Sequence, residues 1–245
     1  MLECIVKIIA IVQARMGSTR LPNKVMKLIN GVPMIELLLA RLSQSKELDQ
    51  IVVVTSIDVQ NSPLVEHVRT LGYACEQGSE NDVLERYVNA AKAHQSDVVV
   101  RITGDCPLVD PELVDECIRR FSTESVDYFT NTNPPSYPDG LDIEVVTLAA
   151  LEQAMGESNK PFDHEHVTPY VREVGRFNKS NMCNTEDLSA LRWTVDEPAD
   201  FEVITNIFTH FSPNIIFTWN FINNYNSYYN SKNRLNATDN CSSRC

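Results

Sequence analysis

The stretch over 8–26, IIAIVQARMGSTRLPNKVM, restricts this chain more than any other part of it. Ile8, Ile9, Ile11 and Val12 make an almost unbroken β-branched run. Such a run fits a strand covered on both faces, as in a parallel sheet. Gly17 and Ser18 follow as a turn whose backbone N–H groups can come close to an anion. Arg15, Arg20 and Lys24 add three cations within ten positions. The chain as a whole has a net charge of −12. A knot of positive charge in so acidic a protein predicts a compact anionic ligand, because the remaining surface repels a polyanion such as DNA.

The loop matches neither GxxxxGK[ST] nor GxGxxG, so the two common phosphate-loop readings lose their support. A solvated basic turn is the plainer alternative. The 245 residues suffice for one large α/β domain and bury roughly 70–75% of the unfolded surface. Seven cysteines, odd in number, widely spread and without a CxxC pair, argue against a disulfide framework or structural zinc and predict a reducing, cytoplasmic setting. The apolar N-terminal stretch is short, is broken by Lys7 and lacks a cleavage site. It predicts neither a signal peptide nor a membrane span.

Strands and helices alternate downstream. Pro33 opens an amphipathic helix, Ile51–Thr55 reads as a second buried strand, and helices follow over Pro63–Leu71 and Asp82–His94. Val98–Ile102 makes a third strand ending at GDCPL, and Pro111–Phe121 is again helical. Repeated strand, loop and helix units predict an α/β fold with a mostly parallel sheet covered by helices. Ligands of such sheets sit beyond the carboxyl ends of the strands, where the basic loop and GDCPL both fall. Residues 130–185, opening with the turn-rich NTNPPSYPDG, predict an excursion from the sheet, with the strand LDIEVV and two helices, before ALRWTVD returns as a strand. This excursion would serve as an acceptor-site wall or a dimer arm within one domain over 1–211. An Asn-, Ser- and Tyr-rich tail over 212–245 is either loosely ordered or docked.

Two carboxylates follow strands. Asp105 sits between Gly104 and Pro107 in GDCPL, and Asp196 precedes Pro198 in RWTVDEPAD. From two strand ends they could share one Mg²⁺ on phosphate oxygens, since that ion takes few protein ligands and keeps waters. Each has a plainer reading as the N-cap of the helix that follows. His164 and His166 in DHEHVTPY have HxH spacing without further ligands nearby, which leaves an interface histidine or, for His166, an acceptor contact. Arg86, in DVLERY, reaches either a base or a neighbouring acid on a solvated face.

Taken in order, VQARMGSTRLPNK, VVVTS, DVLERY, RITGDCPLVD, HEHVTPY and RWTVDEPADFE resemble the cytidylyltransferase family of CMP-sugar synthetases. The likeness is strongest to the spore-coat polysaccharide branch, and extends to CMP-3-deoxy-octulosonate and acylneuraminate cytidylyltransferases. It covers about residues 6 to 211. It implies a fold of the nucleotide-diphospho-sugar transferase type, CTP and an acidic sugar as substrates, Mg²⁺ as cofactor and a homodimer. By the same resemblance Arg15, Ser18, Arg20 and Lys24 bind the triphosphate, Thr55, Ser56 and Arg86 lie near the cytidine, and Asp105 and Asp196 lie near the metal, Asp196 as ligand or as base.

The matching chemistry is in-line attack of a sugar hydroxyl on the α-phosphorus of CTP, catalysed by positioning and charge stabilisation. Arg15, Lys24, Asp105 and Asp196 are then the residues that carry it. A glycosyltransferase of similar architecture would require a DxD motif, and GDCPL lacks its second acid. A non-catalytic nucleotide-binding protein is the third reading. The acceptor is not encoded in any decodable pattern.

Overall fold

A computed structural model describes residues 6–225. Its centre is a seven-stranded sheet of order β5-β4-β1-β6-β8-β7-β9. The strands are β1 (Ile8–Gln13), β4 (Gln50–Ser56), β5 (Ala74–Gly78), β6 (Val98–Thr103), β7 (Tyr128–Thr130), β8 (Glu144–Thr147) and β9 (Lys179–Asn181). A two-residue hairpin, β2 (Leu28–Ile29) with β3 (Val32–Pro33), stands apart. Strands β5, β4, β1 and β6 run parallel, β8 is antiparallel to both β6 and β7, and β9 is parallel to β7.

Alternation along each strand divides the core. Ala10, Val12, Val53, Val100 and Ile102 pack on one face with α1 (Met34–Leu42), α2 (Ser62–Thr70), α4 (Pro111–Glu124) and α8 (Pro198–Phe211). Ile9, Ile11, Val52, Val54 and Val99 pack on the other with α3 (Val83–Ala93), α5 (Leu148–Glu157) and α7 (Pro169–Glu173). The short helix α6 (Pro161–His166) leans on α3. Because both faces are buried, the central strands read as continuous apolar runs rather than alternating ones.

Several expectations are corrected. The edge strand β5 is absent from the periodicity reading because ACEQG is half polar and lies at a sheet margin. Residues 130–185 do not leave the sheet: β8 lies between β6 and β7, β9 closes the far edge, and three helices rather than two lie between them. ALRWTVD forms no strand, only an isolated bridge between Asp139 and Arg192. Its backbone is spent on other loops, with Trp193 N donating to Asp139 O at 2.7 Å and Val195 N to Asp105 O at 2.8 Å.

The segment from 212 begins docked. Phe217 and Ile222 are buried in the first core. Arg41, fully buried on α1, donates to the carbonyls of Leu108, Val109, Ile215 and Phe217, and its guanidinium lies 4.4 Å over the Phe217 ring. Burial pulls its pKa down to about 10, partly offset by the charge of Asp110. The rest of the predicted tail, 226–245, lies outside the described residues. No helix among the described residues is long and apolar enough to cross a membrane.

Candidate active site

The site lies where β1 and β6 end side by side. Gly104 N donates to Gln13 O at 2.8 Å, and a Cβ at position 104 would sit 2.9 Å from both that oxygen and Ala14 Cβ. Glycine is therefore a steric requirement at this point. The basic loop leaves β1 and is pinned from the next strand: Met16 N donates to Asn61 Oδ1 at 2.8 Å, while Asn61 Nδ2 donates to Ser56 Oγ at 2.8 Å. Ser18 Oγ accepts from Leu21 N within the loop. A 3-10 turn over Lys24–Met26 then carries Lys24 back across the strand ends.

Lys24 is where the sequence-distant parts meet. Its Nζ donates to Asp105 Oδ2 at 2.9 Å, Asp196 Oδ1 at 3.0 Å and Val195 O at 2.8 Å. Arg20 reaches Asp196 at 3.1 Å, and Arg192 holds the other Asp196 oxygen at 3.0 Å. Burial raises the Asp196 pKa, but the hydrogen bond and charge of Lys24, with Arg20 and Arg192, outweigh it and hold the group below the usual carboxylate range. Asp200 accepts from Arg192 and from the backbone N–H groups of Asp196 and Glu197, which bring it to about 2 against the opposing effect of burial.

Neither predicted carboxylate caps a helix. α4 is capped by Asp110, whose side chain accepts from Glu112 N and Leu113 N. α8 is capped by Glu197 in a capping box with Asp200. Asp105 and Asp196 are thus left for the cleft.

Arg15, Ser18, Arg20, Lys24, Arg86, Asp105 and Asp196 all line one cleft of about 250 Å³ with Gln13 and Thr103. Arg15 is exposed and makes no hydrogen bond or ion pair among the described residues. Arg86 is 5% exposed, and its Nε is buried without a partner. Burial lowers its pKa, and the nearby Arg15 charge lowers it further. The charges of Glu80 and Asp82 act in the opposite sense, while Nε itself is left for a hydrogen-bond acceptor that a ligand in the cleft could supply. Gly78 makes room for the side chain: a Cβ there would lie 2.7 Å from Arg86 Cγ.

The other predicted contacts are not brought together. Thr55 follows Val53 on the α1 and α2 side of the sheet, opposite to Arg86, and Ser56 is engaged with Asn61. Neither lines the cleft. His166 is exposed on α6 with its ring 4.3 Å from Phe162, outside the cleft lining. His164 Nδ1 meets Asp82 Oδ2 at 2.7 Å and Nε2 meets Ser158 O at 3.0 Å, so it clasps α6 to the start of α3. Sequence reasoning missed Asn61, Arg192 and Gln13. An Asn one turn past a strand carries no signal for a loop 45 residues earlier. Arg192 stands four residues before Asp196, an ordinary helical pair spacing in a segment that is not helical.

Among the described residues no group of three or more His, Cys, Asp or Glu converges as a metal site. A pair of carboxylates does converge with Val195 O on the single cation Lys24. An all-oxygen donor set with two carboxylates suits Mg²⁺, which binds through few protein ligands and substrate phosphates.

A parallel-centred sheet with cations after the first strand, one carboxylate just past the end of β6 and a second brought beside it by a loop fits a nucleotidyltransferase of the α/β type. The cytidylyltransferase family model matches residues 9–201, and the chain belongs to that family. An uncharacterized protein of Methanocaldococcus jannaschii is 39% identical over 208 residues, covering 84% of each chain. The spore coat polysaccharide biosynthesis protein SpsF of Bacillus subtilis is 32% identical, over 82% of this chain and 86% of its own. A 3-deoxy-manno-octulosonate cytidylyltransferase of Geotalea daltonii is 31% identical over 49% of this chain and 46% of its own. The solved structure of a cytidylyltransferase from Leptospira borgpetersenii superposes with a TM-score of 0.88 at 30% identity, over 92% of this chain and 96% of that one.

Proposed function

We propose that this cytidylyltransferase moves CMP from CTP to an acidic sugar, releasing pyrophosphate, in the making of a surface polysaccharide. The observation that carries the reading is the split of charge in one cleft. Arg15, unpaired among the described residues, awaits an anion, while Asp105 and Asp196 converge on a cation. A metal-bound nucleoside triphosphate carries both. The polysaccharide link rests on SpsF, and the sugar-acid link on the octulosonate relative.

Arg15, Arg20 and Lys24 neutralise the triphosphate and stabilise charge that builds on the phosphoryl oxygens and on the departing pyrophosphate. The pinned loop holds those donors in place before the substrate arrives, so little ordering remains during the reaction. Asp105 and Asp196 would hold Mg²⁺. When bound, that ion supplies Lewis-acid stabilisation of phosphoryl charge. Both Asp196 oxygens face cations, Lys24 and Arg20 on one and Arg192 on the other, which favours the ligand role over the base role.

The test is pyrophosphate release with CTP and Mg²⁺ across a panel of sugar acids, including 3-deoxy-octulosonate and nonulosonates. Turnover with one acid and CTP is expected. A nucleoside diphosphate released from a nucleotide-sugar instead would favour a glycosyltransferase, and tight CTP binding without turnover on any acid would leave a binding protein.

A further inference from the structure

In-line attack by a sugar hydroxyl leaves a proton to be taken up, and most carboxylates around the cleft are engaged. Asp105 and Asp196 face Lys24, Asp200 faces Arg192, and Glu144 accepts from Arg101, Tyr128 and Thr168. Asp142 is different. It is exposed and makes no hydrogen bond or ion pair among the described residues. Leu141 and Ile143 on either side of it are buried in the first core, so its side chain leaves on the opposite face of the sheet.

The backbone around Asp142 is fixed from several directions. Asn131, itself buried, donates through Nδ2 to Leu141 O at 2.8 Å and accepts at Oδ1 from Ile143 N at 2.9 Å, so one side chain clamps the chain on both sides of position 142. Gly140, at φ +111°, lies against the segment that leads to Asp196: a Cβ there would sit 2.5 Å from the Trp193 carbonyl carbon. On the other side, β8 pairs with β6 with Glu144 opposite Arg101. Carried two residues further, that register brings Asp142 level with Thr103, which lines the cleft two residues before Asp105. The scaffold thus places a carboxylate beside the cleft and gives it no partner within the fold, an arrangement that suits a group held ready for a substrate.

We propose that Asp142 is the base of the transfer, taking the proton of the sugar hydroxyl as its oxygen attacks the α-phosphorus. This rests on the reading of the protein as a CMP-transferring enzyme. The O–H bond breaks, a lone pair of that oxygen forms the new O–P bond, and the bond from the α-phosphorus to the bridging oxygen breaks as pyrophosphate leaves with its electron pair. The proton ends on the Asp142 carboxylate and passes to the solvent that reaches it. Burial, then the charges of Asp139 and Glu144, push the Asp142 pKa up to about 6, with Arg101 opposing them and Asp105 adding to them. Cys106, whose buried thiol feels the charge of Asp142, and Tyr128, bonded to Glu144, complete the titratable groups on that side. A carboxyl with a pKa near the working pH is a better proton acceptor than Asp196, which is held below the usual range.

Steady-state pyrophosphate release by the full chain, at saturating CTP and Mg²⁺ with the sugar acid that turns over, tests this across a pH series. The wild-type kcat is expected to rise with pH through about 6 and then level off. Asp142→Asn should keep the CTP affinity, the Mg²⁺ requirement and the thermal midpoint, while kcat falls by about 10²–10⁴-fold and the pH-dependent limb disappears. Asp142→Glu, which restores a carboxyl, should recover part of the rate and a limb of its own. If Asn upsets the fold, Asp142→Glu decides: a displaced limb supports the role, and an unchanged limb and rate overturn it. An Asn variant as active as wild type, or with the limb intact, overturns it as well. So does one whose rate returns at higher Mg²⁺, which would make Asp142 a metal ligand. Absence of turnover by the wild type on every acid would instead fail the underlying reading, and this role with it, before any variant is compared.

Discussion

Replacing Lys24 by Met keeps the aliphatic stem and removes the charge on which Asp105 and Asp196 converge. Both carboxylate oxygens lie within 3.0 Å of Nζ, so they are no more than about 6 Å apart. At an effective dielectric of about 20, two such charges repel by about 3 kcal/mol. The side chains are 28% and 23% exposed, and Arg20 and Arg192 remain on Asp196, which together reduce the net cost to about 2 kcal/mol. For a chain of this size that lowers the melting temperature by about 4–8 °C. The pH dependence follows from Asp196, whose folded pKa lies below its ordinary 3.8. Its contribution is present above the unfolded value and is lost as pH falls through the folded one, so the difference between wild type and Lys24→Met should be full near pH 7 and shrink below about pH 4. Urea unfolding at a series of pH values measures it, with Arg15→Ala as the control that leaves stability within about 0.5 kcal/mol. A Lys24→Met protein as stable as wild type at pH 7, or one destabilised equally at pH 3.5 by ~2 kcal/mol, would refute the reasoning.

Asp105→Asn and Asp196→Asn should each abolish CTP turnover while keeping the fold, and the double variant should be little worse than either, because groups acting as a unit are not additive. Steady-state kinetics with an active acceptor checks this. Gly104→Ala, forced against Gln13 O and Ala14 Cβ, should cost about 1–3 kcal/mol in denaturant unfolding and most of the activity. Gly78→Ala should displace Arg86 and weaken CTP binding in calorimetry with little loss of pyrophosphate binding. Both His164 nitrogens face acceptors and its pKa is raised, first by the Ser158 carbonyl and then by Asp82 against burial. Its stabilisation is full below the unfolded histidine value and is lost as pH rises through the folded one, so His164→Ala should destabilise more at about pH 5.5 than at about pH 9 in thermal melts.

The β1 strand, its loop, the GDCPL turn and most helices were legible because each is written in a short local pattern. Pro33 and Pro111 mark helix starts within one residue of where α1 and α4 begin. The face of Thr55 was not legible, since its strand is apolar on both sides and alternation leaves no trace when two cores cover a sheet. The choice between cap and cleft for Asp196 was equally hidden. It turns on Glu197 one residue later and on Lys24, 172 residues earlier. The sheet membership of β7, β8 and β9 was masked by their brevity and by the turn-rich link between them.

The clasp of Arg41 has a consequence for how this chain can vary. All its polar partners are main-chain carbonyls, two from the turn after Asp105 and two from the segment beyond α8. Every residue type offers a carbonyl, so the side chain at Ile215 is free to change without loosening the grip. Spacing is not free: one residue inserted or removed between Ser212 and Phe217 would slide both carbonyls off the guanidinium and leave a full charge sealed in an apolar interior. Related chains should therefore drift in composition here while keeping their length, a pattern that separates a backbone-read contact from one read through side chains.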